Sequence, residues 1–360
     1  MSAGQTTIVI AGGGTGGHLM PGLAVARALR AAGAERVEFV GTARGLEARL
    51  VPEAGFPLHL IRVGGLKTGS VLRKLASAAQ IPLAVWASLR LLRRLRAGVV
   101  FGIGGYASGP VLLAAALLRV PIVVLEVNAR TGLANRWAAR WVRTACVNFP
   151  ETAADFPRAR TAVTGIPVRP EFFAPASLPD SAQPLVLITG GSQGATALNA
   201  AVRAMAPQVE FRILHQTGTR DFAATAAAYV PLGDRVRAVA FLDDMAAAMA
   251  AATVVVSRSG ASTLGELAAA AKPAILIPLP GAADQHQLRN AEAWVAAGAA
   301  VLLKQSELTP ERLATALEEV LADAPRRTAM ATSTRGFAHP DAARAIATIV
   351  LGHSQESRTQ

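Results

Sequence analysis

One pattern occurs twice in this chain and restricts its fold more than any other feature. An apolar, strand-like run enters a glycine loop, and a helical pattern follows. Residues 7–11 lead into Gly12-Gly13-Gly14-Thr15-Gly16-Gly17-His18, and helical periodicity runs from 22 to 32. Residues 185–189 lead into Gly190-Gly191-Ser192-Gln193-Gly194, and helical periodicity runs from 197 to 205. Further strand-like runs alternate with helical ones at 37–41, 99–103, 121–125, 145–149 and 161–163. The same alternation continues at 212–216, 237–241, 253–256 and 274–277. Strands alternating with helices form parallel sheets wound on both faces. A length of 360 residues suits two such units better than one. Expected boundaries are 1–164 and 165–340, with a C-terminal helix and polar tail, 341–360, returning to the first unit. Gly165-Ile166-Pro167-Val168-Arg169-Pro170 reads as a hinge, and 175–184 as a linker.

Composition narrows the class. The chain is 52% hydrophobic and 17% charged, as in a globular protein. No apolar run reaches the ~18 residues of a membrane span. The start lacks a basic signal-peptide region. A single cysteine, Cys146, fits a reducing cytoplasm and reads as core. The net charge of +12 is lopsided: residues 1–165 carry +13 and residues 166–360 carry −1. Between 54 and 125 there are nine Lys/Arg and no acidic residue. That points to an anionic partner for the first half, such as a membrane surface, a phosphorylated substrate or nucleic acid. Residues 83–96 follow Pro82, a helix-start signal. Val85, Trp86, Leu89 and Leu92 fall on one face, and Arg90, Arg93 and Arg94 on another. Such a helix can lie in a lipid interface or cover a sheet with its basic face in water.

Ligands of open α/β sheets bind at the carboxyl ends of strands. Polar loops recur there: His18 beside the first glycine loop, Tyr106 and Ser108 after 99–103, and Glu126 and Asn128 after 121–125. In the second half, Ser257-Arg258-Ser259-Gly260-Ala261 opens a helix with spare backbone N–H groups, which favour a phosphate or a sugar hydroxyl. Glu266, one turn on, can accept two hydroxyl hydrogen bonds. Asp284-Gln285-His286-Gln287 follows the next strand, and Asp243 reads as an N-cap. Gly12, Gly14 and Gly17 formally match a dinucleotide fingerprint, but the fit is poor, because Glu35 and Glu38 precede or lie within the second strand where an acidic residue is wanted after it. The P-loop pattern, Asp-x-Asp and Cys/His clusters are absent, so no metal or other cofactor is expected. A leaving diphosphate would rely on backbone N–H groups, helix N-termini and cationic side chains. His18 next to such a loop can serve as a base, donate to a phosphate, or simply cap the helix.

Taken in order, six motifs resemble the MurG family, the N-acetylglucosaminyltransferases that form lipid II. They are Gly13 to Gly22 with His18 and Pro21; Gly104-Gly105-Tyr106 to Pro110; and Gly190 to Gly194. The others are Asp243-Asp244-Met245; Ser257 to Thr263 with Glu266; and Asp284 to Gln287. The resemblance spans about 7–350. It implies an α/β GT-B fold, two Rossmann-like doubly wound domains facing across a cleft. It implies inverting transfer of GlcNAc from UDP-GlcNAc to the C4 hydroxyl of lipid-linked MurNAc, without metal. The site would be peripheral, at the cytoplasmic face of the inner membrane. By the same resemblance, Ser192 with Gln193 meets the diphosphate, and Arg169 lies near the nucleotide. Leu242 and Met245 bracket the uracil. Ala261, Ser262, Thr263, Leu264 and Gly265 give backbone contacts, and Glu266 holds the ribose hydroxyls. His286 and Gln287 read the GlcNAc hydroxyls. Asn128 and Thr15, Gly16 and Gly17 reach the donor sugar or the acceptor diphosphate, with Tyr106 in a neighbouring loop. The implied partners are UDP-GlcNAc, lipid I and the anionic inner-membrane surface, with room for other cell-wall synthesis proteins and none for nucleic acid. His18 is the first choice of base and Glu126 the second. Departures fall at Leu125 and Val127, where the family often has His and Gln, and at Ile166, where it usually has Asn. Rival classes are a UDP-GlcNAc 2-epimerase, a non-catalytic lipid-binding relative and an NAD-dependent oxidoreductase.

Overall fold

The computed structural model describes residues 7–63, 71–173, 183–191, 193–282 and 285–359, with the backbone alone at 71–79 and 357–359. Ser192, Asp284 and most of the expected 175–184 linker lie outside the described residues. The chain divides into two compact units, Met1–Pro167 with Asp341–Gln360, and Val168–Pro340.

Unit 1 is a seven-stranded parallel sheet. Its strands are β1 (Thr7–Gly12), β2 (Val37–Gly41), β3 (Leu58–Leu60), β4 (Ala97–Gly104), β5 (Ile122–Glu126), β6 (Thr144–Val147) and β7 (Arg160–Val163), in the order β3-β2-β1-β4-β5-β6-β7. In register, Ile10 stands between Phe39 and Phe101. Helices cover both faces of a parallel sheet, so its central strands are apolar throughout. Ile8, Val9, Ile10, Ala11, Val99, Val100, Phe101 and Ile122 through Leu125 are all essentially buried. The helices are α1 (Gly16–Ala31), α2 (Glu47–Glu53), α3 (Val71–Leu95), α4 (Ser108–Leu117) and α5 (Leu133–Ala138).

Three expectations are corrected here. Helix α1 starts at Gly16, six residues before the periodic stretch, and His18 lies in its first turn. Two glycines and Pro21 hide that turn from a propensity reading, while buried Leu19 docks it. Pro82 lies inside α3 and does not start it. Along the described part of α3, Ala84, Val85, Ser88, Leu92 and Leu95 face the core. Trp86, assigned above to the apolar face, is 54% exposed and carries the Arg90 guanidinium 4.1 Å from its ring.

Unit 2 repeats the design with six parallel strands. They are β8 (Leu185–Thr189), β9 (Arg212–Gln216), β10 (Val236–Val239), β11 (Val254–Ser257), β12 (Ala274–Leu276) and β13 (Ala300–Leu302), in the order β10-β9-β8-β11-β12-β13. Around them lie α6 (Thr196–Met205), α7 (Thr219–Tyr229), α8 (Met245–Ala251), α9 (Ala261–Ala270), α10 (His286–Ala296), α11 (Pro310–Ala322) and α12 (Ala324–Arg335). Val186, Ile188, Leu198, Val202, Ile213, Val254, Val256, Ile275, Leu313 and Leu317 form its core. One buried polar group ties three elements together. The His215 ring meets Tyr229 Oη at 2.8 Å through Nδ1 and Asn199 Oδ1 at 3.0 Å through Nε2. Burial pushes its pKa down to about 3, so the ring stays neutral and bridges a donor and an acceptor. The last helix, α13 (Ala342–Thr359), packs on α1 and β4 through Ile346, Ala347 and Val350. His353 Nε2 meets Thr144 Oγ1 at 2.9 Å.

Candidate active site

Each sheet has one place where consecutive strands part to opposite sides. In unit 2 it lies between β8 and β11, and in unit 1 between β1 and β4. Such switch points open a crevice at the strands' carboxyl ends. Both glycine loops stand there.

In unit 2 the loop after β8 is shaped by close packing. Gly194 has φ +71, and a Cβ there would lie 1.9 Å from the Thr217 carbonyl oxygen. Thr189 Oγ1 donates to Gln216 Oε1 at 2.7 Å and accepts from the Gly191 N–H at 3.1 Å. Gln193 is exposed on this loop. Beside it, β11 feeds Arg258, Ser259 and Gly260 into α9, whose N-cap Gly260 has no side chain to satisfy the first amides. The amides of Ala261, Ser262 and Thr263 therefore remain open to an anion. Leu264 and Gly265 are buried beneath this turn. Glu266 stands one turn further on, and burial pushes its carboxyl up to about 7 despite the opposing pull of the Arg169 guanidinium. Arg169 is itself exposed, over the Phe172 ring.

Neighbouring loops complete this face of unit 2. The loop after β10 presents Leu242 and Met245, both half-buried. The cap of α8 is Asp244, which accepts from the Ala247 N–H at 2.8 Å, and not Asp243 as expected. After β12 the backbone reaches α10 through Gln285 in the left-handed region, φ +54. His286 and Gln287 then open the helix half-buried. Gln287 Oε1 accepts from the Leu279 N–H at 2.9 Å, which leaves the amide nitrogen toward Gly260. Sequence reasoning missed the residues that stitch these loops. Ser259 Oγ donates to the Gln287 carbonyl at 2.8 Å, and Asn290 Nδ2 to the Ser259 carbonyl at 3.1 Å. Arg258 donates to the carbonyls of Ile277 and Pro278 and to Gln305. A buried arginine next to a helix start was the available signal for Arg258; short-range sequence held none for Asn290.

In unit 1 the loops after β1 and β4 touch. The Gly13 N–H donates to the Gly104 carbonyl at 3.2 Å, and a Cβ on Gly105 would lie 2.3 Å from the Gly13 carbonyl oxygen. The His18 ring rests on Gly104, where a Cβ would come within 2.8 Å of Nδ1. Thr15 is exposed and caps α1 without a side-chain bond, so the Gly16 and Gly17 amides have no intrahelical acceptor. Tyr106 is 45% exposed on the loop beside them.

Glu126, the second choice of base, is enclosed by donors. It is 1% exposed and accepts from the Asn128 N–H, Asn128 Nδ2, the Gly132 N–H and Asn135 Nδ2 at 2.9–3.3 Å. Its carboxylate shapes the 126–132 loop and has no open lone pair facing solvent. Burial raises its pKa against those four donors. Asn128 is 7% exposed, and its side-chain nitrogen donates to Glu126 Oε1 at 3.3 Å. Leu125, Val127 and Ile166 are buried, so the departures sit in packing positions.

Two Rossmann-like units, each a parallel sheet with a glycine loop at its switch point, make up the GT-B fold. Residues 8–147 match the N-terminal domain of glycosyltransferase family 28, and residues 185–346 match its C-terminal domain. The UDP-N-acetylglucosamine–N-acetylmuramyl-(pentapeptide) pyrophosphoryl-undecaprenol N-acetylglucosamine transferase of Solibacter usitatus is 47% identical over 351 residues, 96% of this chain and 95% of that one. The crystal structure of Acinetobacter baumannii MurG superposes with a TM-score of 0.84 at 33% identity, covering 96% of this chain and 99% of that one. The chain belongs to the MurG family of glycosyltransferases. The UDP-GlcNAc 2-epimerase of Neisseria meningitidis has a TM-score of 0.68 at 13% identity, covering 96% of this chain and all of that one. That likeness is one of fold.

Proposed function

We infer that this chain transfers GlcNAc from UDP-GlcNAc to the C4 hydroxyl of MurNAc in lipid I, forming lipid II with inversion and without a metal. The family assignment carries the reaction. One observation carries the placement of the donor: an uncapped helix start beside a glycine loop at the switch point of unit 2, with Glu266 one turn in. The diphosphate binds the α9 amides and the loop of Ser192 and Gln193, with Arg169 adding positive charge. Leu242 and Met245 hold the uracil. Glu266 accepts from the ribose hydroxyls, and His286 with the Gln287 amide nitrogen reads the sugar. Unit 1 supplies the acceptor contacts: Thr15, Gly16 and Gly17 bind the lipid diphosphate beside Tyr106. His18 takes the proton as the C4 oxygen bonds to the anomeric carbon and UDP departs. Charge on the leaving diphosphate builds in an oxocarbenium-like transition state, and preformed N–H donors stabilise it without reorganisation.

Glu266 makes donor binding depend on pH. Two ribose hydroxyls are best accepted by the ionised carboxylate, which is the minority form below a pKa of about 7. At pH 6 roughly a tenth of the unliganded protein is ionised, so UDP-GlcNAc affinity is expected to fall about tenfold from pH 8 to pH 6. The diphosphate diester of the ligand does not titrate in this range. Calorimetric titration checks this, and Glu266→Gln should show a flat profile. A tenfold fall that persists in Glu266→Gln would assign the effect elsewhere.

We place the membrane contact on the outer face of α3. Leu83 and Trp86 are 68% and 54% exposed, Arg90 stacks on Trp86, and Arg93 and Arg94 are exposed beside them. No described helix is long and apolar enough to cross a membrane. Apolar side chains flanked by arginines suit a peripheral seat on the anionic cytoplasmic leaflet. At about 1 kcal/mol per basic residue, the Arg93→Ala/Arg94→Ala double variant should partition roughly 30-fold more weakly onto anionic phospholipid vesicles, with transfer to a soluble acceptor unchanged. Unaltered partitioning in a vesicle-sedimentation assay would move the contact to another face.

A further inference from the structure

A carboxylate sits under the first glycine loop, where an anion-binding loop should least tolerate one. Glu47, the first residue of α2, is 1% exposed. Its Oε2 accepts from the Gly14 N–H at 2.7 Å. Its Oε1 accepts from the Thr42 N–H and the Thr42 hydroxyl, both at 2.9 Å. No ion pair reaches Glu47 among the described residues. Three glycines clear the space around it. A Cβ would lie 2.6 Å from Oε2 at Gly13, 2.0 Å from Oε2 at Gly45, and 2.5 Å from Cγ at Gly41. A buried carboxylate without a cation is costly unless its lone pairs are satisfied. Here backbone amides and one hydroxyl satisfy it, and it joins the ends of β1 and β2.

This geometry does two things. It fills the Gly14 N–H, so that amide is withdrawn from any ligand. It also holds Gly14, at φ +90, in the conformation that delivers Thr15 to the start of α1. The donors left open are those of Thr15, Gly16 and Gly17. We propose that Glu47 is a positioning residue: its buried carboxylate occupies the inner half of the glycine loop and confines acceptor-diphosphate binding to the outer half, the turn of Thr15, Gly16 and Gly17. The proposal rests on the reading that this loop receives the acceptor diphosphate.

Glu47→Gln tests the idea. If its oxygen keeps the two Thr42 donors, its NH2 faces the Gly14 N–H, donor against donor, and the loop is released. The expected result is a tenfold or greater rise in KM for a lipid I analogue, with KM for UDP-GlcNAc within twofold of wild type. A merely structural role would lower the melting temperature and leave both KM values unchanged at temperatures well below it; that outcome overturns the proposal. Thr42→Val removes one donor to Oε1 and keeps the carboxylate. It should raise acceptor KM by a smaller factor, and it serves if Glu47→Gln does not fold; an unchanged acceptor KM in Thr42→Val would then count against the proposal. Gly16→Asp isolates the underlying reading, because a Cβ at Gly16 meets only Leu46 Cδ1 at 4.0 Å. An added charge there should raise acceptor KM. If Gly16→Asp raises it and Glu47→Gln does not, the role of Glu47 falls and the loop reading stands. If Gly16→Asp leaves it unchanged, the loop is not the acceptor site and both fall.

Discussion

Replacing His18 with alanine is expected to lower kcat by about 10²–10⁴-fold, the usual contribution of a positioned general base. KM for UDP-GlcNAc should stay near wild type, because the donor contacts proposed above all lie in unit 2. The fold should survive. His18 is only half-buried in the first turn of α1, and the turn is anchored by Leu19, which is fully buried. The imidazole rests on Gly104, a position cleared of any side chain, and the glycine there has φ +86. That clearance gives the ring a fixed seat beside the loop proposed to hold the acceptor. The pH profile separates base from cap. A base produces an acid limb in the kcat profile, and His18→Ala should lose it. A capping histidine would leave that limb in place and cost less than tenfold. Single-turnover kinetics with a saturating lipid I analogue would read both quantities.

The second large effect is at Glu266. Glu266→Ala should raise KM for UDP-GlcNAc roughly a hundredfold, since two hydrogen bonds to a carboxylate contribute about 3 kcal/mol together. Stability should not fall with it. The folded-state pKa of Glu266 lies above its unfolded value, so ionising it opposes folding. That penalty grows as pH rises from the ordinary carboxylate range to about 7 and is constant above. At pH 8 the alanine variant should therefore melt at the wild-type temperature or higher. A large loss of donor affinity with no loss of stability marks a ligand-binding carboxylate. Unchanged donor KM would take Glu266 out of the site.

Much of this was legible in the sequence. Residues 185–189 and 212–216 stand as strands with the expected ends; in the first, a strand buried between two layers leaves a nearly continuous apolar run. The short elements β3 and α2 carry no such run and went unread, as did the three-residue β13. Pro82 misled because a proline read locally as a helix start lies inside α3, which begins eleven residues earlier at Val71. Trp86 was placed with the apolar residues by its chemistry, whereas the helix turns it outward beside Arg90. At the site, the glycine loops and Glu266 were visible as local strings. The supports were not. Glu47 lies 33 residues from Gly14, and Asn290 lies 31 residues from Ser259. Only the sheet order brings those partners together. The enclosure of Glu126 was hidden for a related reason. Its four donors come from residues 128, 132 and 135, and a string does not reveal that a loop folds back to enclose a carboxylate.

The most direct test is transfer of labelled GlcNAc from UDP-GlcNAc to a soluble lipid I analogue in the presence of EDTA. The predicted result is a β-linked GlcNAc–MurNAc product, formed one-for-one with released UDP at a rate that EDTA does not change. Consumption of UDP-GlcNAc without acceptor, or a folded protein that transfers nothing to the MurNAc hydroxyl, would contradict the account.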